Sequence, residues 1–171
     1  VTAGNYYTFN ITANGGNNHM SVLETTYSPE TFTSVTQSPA TVGGTVSPTI
    51  TVVMSSAPAS NVFIRYSTNN FTSSVLVPLV FVGATGTASI PAQPAGTIVR
   101  YYVYNSPKSS AQISTDVTAS GELAHDMATL NLNNNSGSNY QYTVLPVTVN
   151  ATNAANDASY PTLKAAFDAI N

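Results

Sequence analysis

The sequence predicts an all-β, antiparallel β-sandwich, preceded by a β-hairpin and followed by one short helix. Two runs, Val62–Ser67 and Thr97–Tyr104, alternate strictly between the two sides of the chain and are bounded by turn residues, so both read as strands with one buried face. Strand and turn recur about every ten residues from Thr49 to Ser106, the spacing expected of a sandwich. Charged residues make up only 6% of the 171 residues, against about a quarter in an average soluble protein. The polar surface is therefore built from Ser, Thr, Asn and Tyr.

Asn5–Thr12 alternates well, residues 14–18 form a Gly/Asn turn, and Met20–Thr26 is a second strand-like run, so residues 1–36 read as a β-hairpin. A lone hairpin is only marginally stable in water, which predicts that it packs with the sandwich or belongs to a preceding module. Residues 37–146 hold the sandwich itself. Pro39 and Gly43-Gly44 punctuate the approach to the apolar strand Thr49–Ser55, and Ala57-Pro58-Ala59-Ser60 turns the chain into Val62–Ser67. Ser74–Val82, rich in Val, Leu and Phe, and Thr85–Ile90 follow, closed by Pro91 and the Pro94-Ala95-Gly96 turn. Pro107–Leu132 is expected to be an irregular excursion with at most one short helix. Leu123, Met127 and Leu130 fall at helical spacing behind Ser120 as a cap, whereas Thr129–Asn133 also reads as a strand with Leu130 and Leu132 inward. Asn133–Asn139 is a turn and Tyr140–Leu145 the closing strand. Residues 147–171 read as a linker and an amphipathic helix over Ser159–Ile170, with Pro161 in its first turn and Leu163, Ala166, Phe167 and Ile170 on one stripe. So short a helix does not stand alone, and its stripe is expected to dock on a neighbour that begins just past Asn171.

Four basic residues, Arg65, Arg100, Lys108 and Lys164, and a net charge of −3 leave no footprint for a phosphate backbone, which sets nucleic acid aside. No apolar run approaches the roughly 20 residues needed to cross a bilayer, so membrane insertion is not expected. With no Cys, disulfides and thiolate metal sites are excluded. A neutral hydroxyl and amide surface suits a protein that is secreted or displayed on a cell surface among glycans. Two His and seven carboxylates leave no nucleophile beside a base at a recognisable spacing, and no cofactor motif. The expectation is a non-enzyme with no cofactor and no metal. The Asn-x-Ser/Thr triplets at Asn10, Asn70, Asn134 and Asn150 are expected by chance at this content of Asn, Ser and Thr.

The runs VFIRYSTNNFTSS, TGTASIPAQPAGTIVRYYVYNS and LNLNNNSGSNYQYTV, with YYTFNI and NNHMSVLETTYSP ahead of them, resemble the immunoglobulin-like or fibronectin-type-III-like modules of large secreted bacterial proteins, most familiar in those exported by the type IX route of gliding bacteria. The resemblance covers most of residues 5–145 and is strongest over IPAQPAGTIVRYYV. It implies an immunoglobulin-like sandwich acting as a spacer or accessory module beside neighbouring domains of the same protein. The tail ASYPTLKAAFDAIN resembles the short helix that caps pectin-lyase-like parallel β-helices, over about a dozen residues, and implies a following domain that binds or cleaves polysaccharide.

In an immunoglobulin-like order Val62–Ser67 and Thr97–Tyr104 are neighbours. With Val62, Ile64, Tyr66, Val99, Tyr101 and Val103 inward, Phe63, Arg65, Arg100, Tyr102 and Tyr104 share the outer face. Aromatic rings pack against sugar faces and guanidinium groups donate to hydroxyls, so this patch is the candidate carbohydrate-binding surface. The bland alternative is that Arg and Tyr stack on each other to cover the sheet or meet the next module. Glu122, His125 and Asp126 form the one cluster of titratable side chains, which fits a capped polar turn with ordinary ion pairing better than a metal site. The amides of Asn133–Asn135 bring no carboxylate of their own for calcium. Three functions stay in view: a structural or spacer module, a carbohydrate-binding module, and a self-associating subunit that adds strands between copies.

Overall fold

The computed structural model describes residues 5–14, 17–26, 30–149 and 158–170, with side chains over 30–149 and 158–169. The chain divides into two compact units, Val1–Glu30 and Thr31–Asn171. In the first, β1 (Asn5–Asn14) and β2 (Asn17–Thr26) pair antiparallel, from Asn5 opposite Thr26 to Asn14 opposite Asn17. The hairpin read from the sequence is thus present. The second unit begins at Thr31, ahead of the boundary read at residue 37, because β3 (Phe32–Ser38) pairs with β5 (Thr49–Met54).

The regular structure of the second unit is mostly β-sheet, in two main sheets. One has the order β3-β5-β9-β8, with β8 at Val80–Val82 and β9 at Thr85–Ser89. The other runs β4-β12-β10-β6-β7, with β4 at Val42–Gly43, β6 at Asn61–Ser67, β7 at Val75–Pro78, β10 at Ile98–Ser106 and β12 at Tyr140–Leu145. All pairings in them are antiparallel except β4 with β12. Ile50, Val52 and Met54 of the first sheet share one buried cluster with Val62, Ile64, Val99, Val103 and Val144 of the second. Alternation is what makes this possible: each strand puts every second residue into the layer between the sheets. At about 25 cal/mol per Å² of apolar area, that layer is the principal stabilising element of the fold.

Phe81 of β8 stands opposite Gly86 of β9. A Cβ at Gly86 would collide with that ring, so the missing side chain is what seats Phe81 against the core. Beyond β12, β13 (Val147–Val149) and β14 (Ala158–Tyr160) pair antiparallel where a linker was expected, followed by α3 (Leu163–Ile170). Ala166 of α3 is buried, while Leu163 and Phe167 remain more than half exposed.

The stretch expected to be irregular holds two helices, α1 (Ser110–Ser120) and α2 (Leu123–Ala128), and then β11 (Asn131–Asn133) on β10. Ser109 caps α1 with a full capping box: its side chain accepts from Gln112 N, and the Gln112 side chain accepts from Ser109 N. The expected stripe of α2 is reversed, with Leu123 and Met127 exposed and Ala124, His125 and Ala128 inward. The sheet supplies the bulk here. Ala128 and Ile113 pack against Phe63, Tyr102 and Tyr104 in a second core on the outer face of β6 and β10. Large rings facing small helical residues fill the space as densely as the reverse arrangement.

Candidate functional site

The register of β6 and β10 sets Tyr102 directly opposite Arg65 and Tyr104 opposite Phe63. Four of the five residues of the expected patch therefore come together on one face. That face is not an open platform. Phe63 and Tyr104 are sealed beneath the helices, and Arg65 and Tyr102 are 5% and 8% exposed. The cause is physical: an outer face made of contiguous rings gains more by burial than in water, and the segment between β10 and β11 supplies the cover. Arg100, opposite Ser67, is half-buried, and its side chain makes no hydrogen bond or ion pair among the described residues.

Arg65 is the hub. Its Nε donates to Ser74 Oγ at 2.8 Å, Nη1 to the Tyr102 hydroxyl at 2.6 Å, and Nη2 to Glu122 Oε2 at 2.7 Å. Asp126 Oδ1 lies 3.6 Å from Nη1. The guanidinium also faces the rings of Phe71 at 5.2 Å and Tyr102 at 5.6 Å. Burial alone would lower the pKa of Arg65, but the bonds to Tyr102 and Glu122 outweigh it and hold the group charged. Glu122 takes a hydroxyl from Ser74 at 2.5 Å and the Ser74 N–H on Oε1. Burial pushes its carboxyl up, yet Ser74 and Arg65 prevail and leave it below the ordinary carboxylate value.

His125 faces the sheet, its Nδ1 3.0 Å from the Tyr104 hydroxyl and its ring at right angles to that of Tyr104. Burial, and after it the nearby Arg65 charge, hold its pKa below the usual imidazole value, so the buried ring is neutral. The Glu122, His125 and Asp126 cluster is thus turned toward Arg65, and no three metal-ligating side chains gather into a site among the described residues. Sequence reasoning did not find the partners of this network, Ser74 and Phe71: Ser74 reads as the start of the run Ser74–Val82, which begins as a strand only at Val75, and Phe71 lies in the turn before it, where spacing carries no signal.

Two cavities adjoin the network. One of about 480 Å³ lies between α1 and β7, lined by Leu76, Ile113, Val117 and His125 among others. The other, about 250 Å³, is open to solvent and lined by Arg65, Phe71, Tyr102, Asp126, Asn134 and Asn139 among others. The second arises from the ladder itself. β11 pairs with β10 at Val103–Asn105, and β12 pairs with it up to Tyr101, so residues 134–139 bow outward opposite the single residue Tyr102. No helix among the described residues is long and apolar enough to cross a membrane. Comparison with known protein families, with curated proteins and with solved structures found no match.

Proposed function

We propose that the chain is a non-catalytic, immunoglobulin-like accessory module of a large extracellular protein, placed between neighbouring domains. The observation that carries the fold assignment is the strand order. β3-β5-β9-β8 against β12-β10-β6-β7 has the form expected of such a sandwich, and β4 leaves the first sheet to lie parallel on β12 at the edge of the second. The non-catalytic reading is supported by the state of the titratable groups. Glu122 has both oxygens engaged by Ser74 and Arg65, and His125 is buried with its Nδ1 at the Tyr104 hydroxyl, so both are committed to the network around Arg65 and neither stands beside a nucleophile. The extracellular setting is supported by the 6% content of charged residues and by the resemblance described above. The test is turnover by the full chain on polysaccharides, aryl esters and peptides. No product is expected, whereas product formation abolished by Glu122→Gln or His125→Phe overturns the reading.

A further inference from the structure

We propose that the cavity opposite the break between β11 and β12 binds one neutral sugar ring, a property that goes beyond the accessory reading above. Its floor is a buried guanidinium with capacity to spare. Three of the five Arg65 N–H groups are engaged by Ser74, Tyr102 and Glu122, and of the other two one is on Nη1, which Asp126 Oδ1 approaches at 3.6 Å, and one on Nη2. On the walls, Asp126 offers acceptor oxygens from a side chain that is 67% exposed, and Asn139 offers a side-chain amide. Asn134 has its Oδ1 occupied by Gly137 N, so its amide nitrogen is the free end.

A second observation points the same way. Phe71 has φ +62°, a left-handed backbone that a bulky side chain rarely adopts. The 68–74 connection holds it there: Phe71 N donates to Ser67 Oγ at 2.9 Å, and Asn69 ties Ser67 to Ser73 through its side chain. Strain of this kind persists where the surroundings over-determine it and is concentrated at ligand sites. Here it presents an aromatic ring beside the polar groups of the cavity.

Charge selects the class of ligand. An anion would meet both Glu122 and Asp126 beside the single Arg65, and a cation would be set against the Arg65 guanidinium on the cavity floor. A neutral polyol avoids both costs. Each of its hydroxyls donates and accepts, matching a carboxylate on one side with amide and guanidinium donors on the other, while its C–H face packs on Phe71.

The experiment titrates the full chain with neutral hexoses, pentoses and N-acetylhexosamines, a uronic acid, inorganic sulfate and tetramethylammonium, followed by amide NMR shifts. At least one neutral sugar is expected to give saturable shifts confined to residues 69–74, 126 and 132–140. Asp126→Asn and Asn139→Gly are each expected to weaken its binding about tenfold, the effect of one lost hydrogen bond to a charged or buried partner. Asp126 is largely exposed and leaves Glu122 to compensate Arg65, and Asn139 already has φ +58°, so both variants keep the fold. Absence of shifts with every neutral sugar, shifts elsewhere, binding indifferent to both substitutions, or preferential binding of a charged probe overturns the proposal. The readout is binding without turnover, so failure here leaves the non-catalytic reading standing, and turnover leaves the sugar site standing.

Discussion

At Arg65 the fold buries a charge it then has to compensate, and the compensation comes from Glu122, 57 residues away in sequence. Removing one partner of a buried pair costs more than the pair is worth, because the other charge stays behind. Glu122→Gln is therefore expected to lower stability by about 3 kcal/mol in urea titration, the low end for a broken buried pair because Asp126 remains 3.6 Å away. Acid sensitivity has two stages. His125 is held below its ordinary value of 6.5, so the unfolded chain takes the proton first, and stability falls as pH drops below about 6.5 until the folded ring is also protonated. Glu122 is held below 4.5, so its contribution is present above that value and is lost as pH falls further. His125→Phe is expected to flatten the first stage of the urea midpoint against pH and leave the second. Tyr142 makes a separate point. Its hydroxyl is buried without a hydrogen-bond partner among the described residues, and burial pushes its pKa to about 12. Tyr142→Phe should raise the melting temperature, since an unpaired buried hydroxyl costs about 1 kcal/mol or more.

Among the elements, strands were legible and the helical cover was not. Val62–Ser67 and Thr97–Tyr104 announced their inner and outer faces through a period of two, and the register places Arg65 beside Tyr102 as that reading requires. The helices α1 and α2 escaped because they carry little bulk of their own: Ile113, Ala124 and Ala128 are the buried apolar residues they contribute. A search for large apolar residues at helical spacing finds Leu123 and Met127, which face solvent. Since α1 relies on its cap, Ser109→Ala should cost about 1 kcal/mol, read by thermal melting. At the β8–β9 contact, Gly86→Ala drives a methyl into the Phe81 ring and should cost about 1–3 kcal/mol. The sheet edge at β8 leaves Val80 72% and Val82 84% exposed. Val82→Lys is expected to leave the melting temperature within error and to raise the concentration at which the chain first scatters light.

Across the whole second unit, two cores share the same strands. β6 and β10 send alternate residues into the layer between the sheets and into the layer under the helices, so neither core can loosen without exposing the other side of the same backbone. The first of these cores could be read from the pattern alone. The second required knowing what covers an outer face, which depends on contacts between residues such as Tyr104 and His125 that no local spacing encodes. The 250 Å³ cavity was hidden for a related reason: it exists because residues 134–139 interrupt the pairing along β10 between β11 and β12, and the sequence shows only an Asn-rich turn. The parallel pairing of β4 with β12 has a mechanical consequence. Tension along the chain pulls β4 toward its N-terminal end and β12 toward its C-terminal end, so the two strands are drawn past each other and their hydrogen bonds bear the load together instead of tearing in succession.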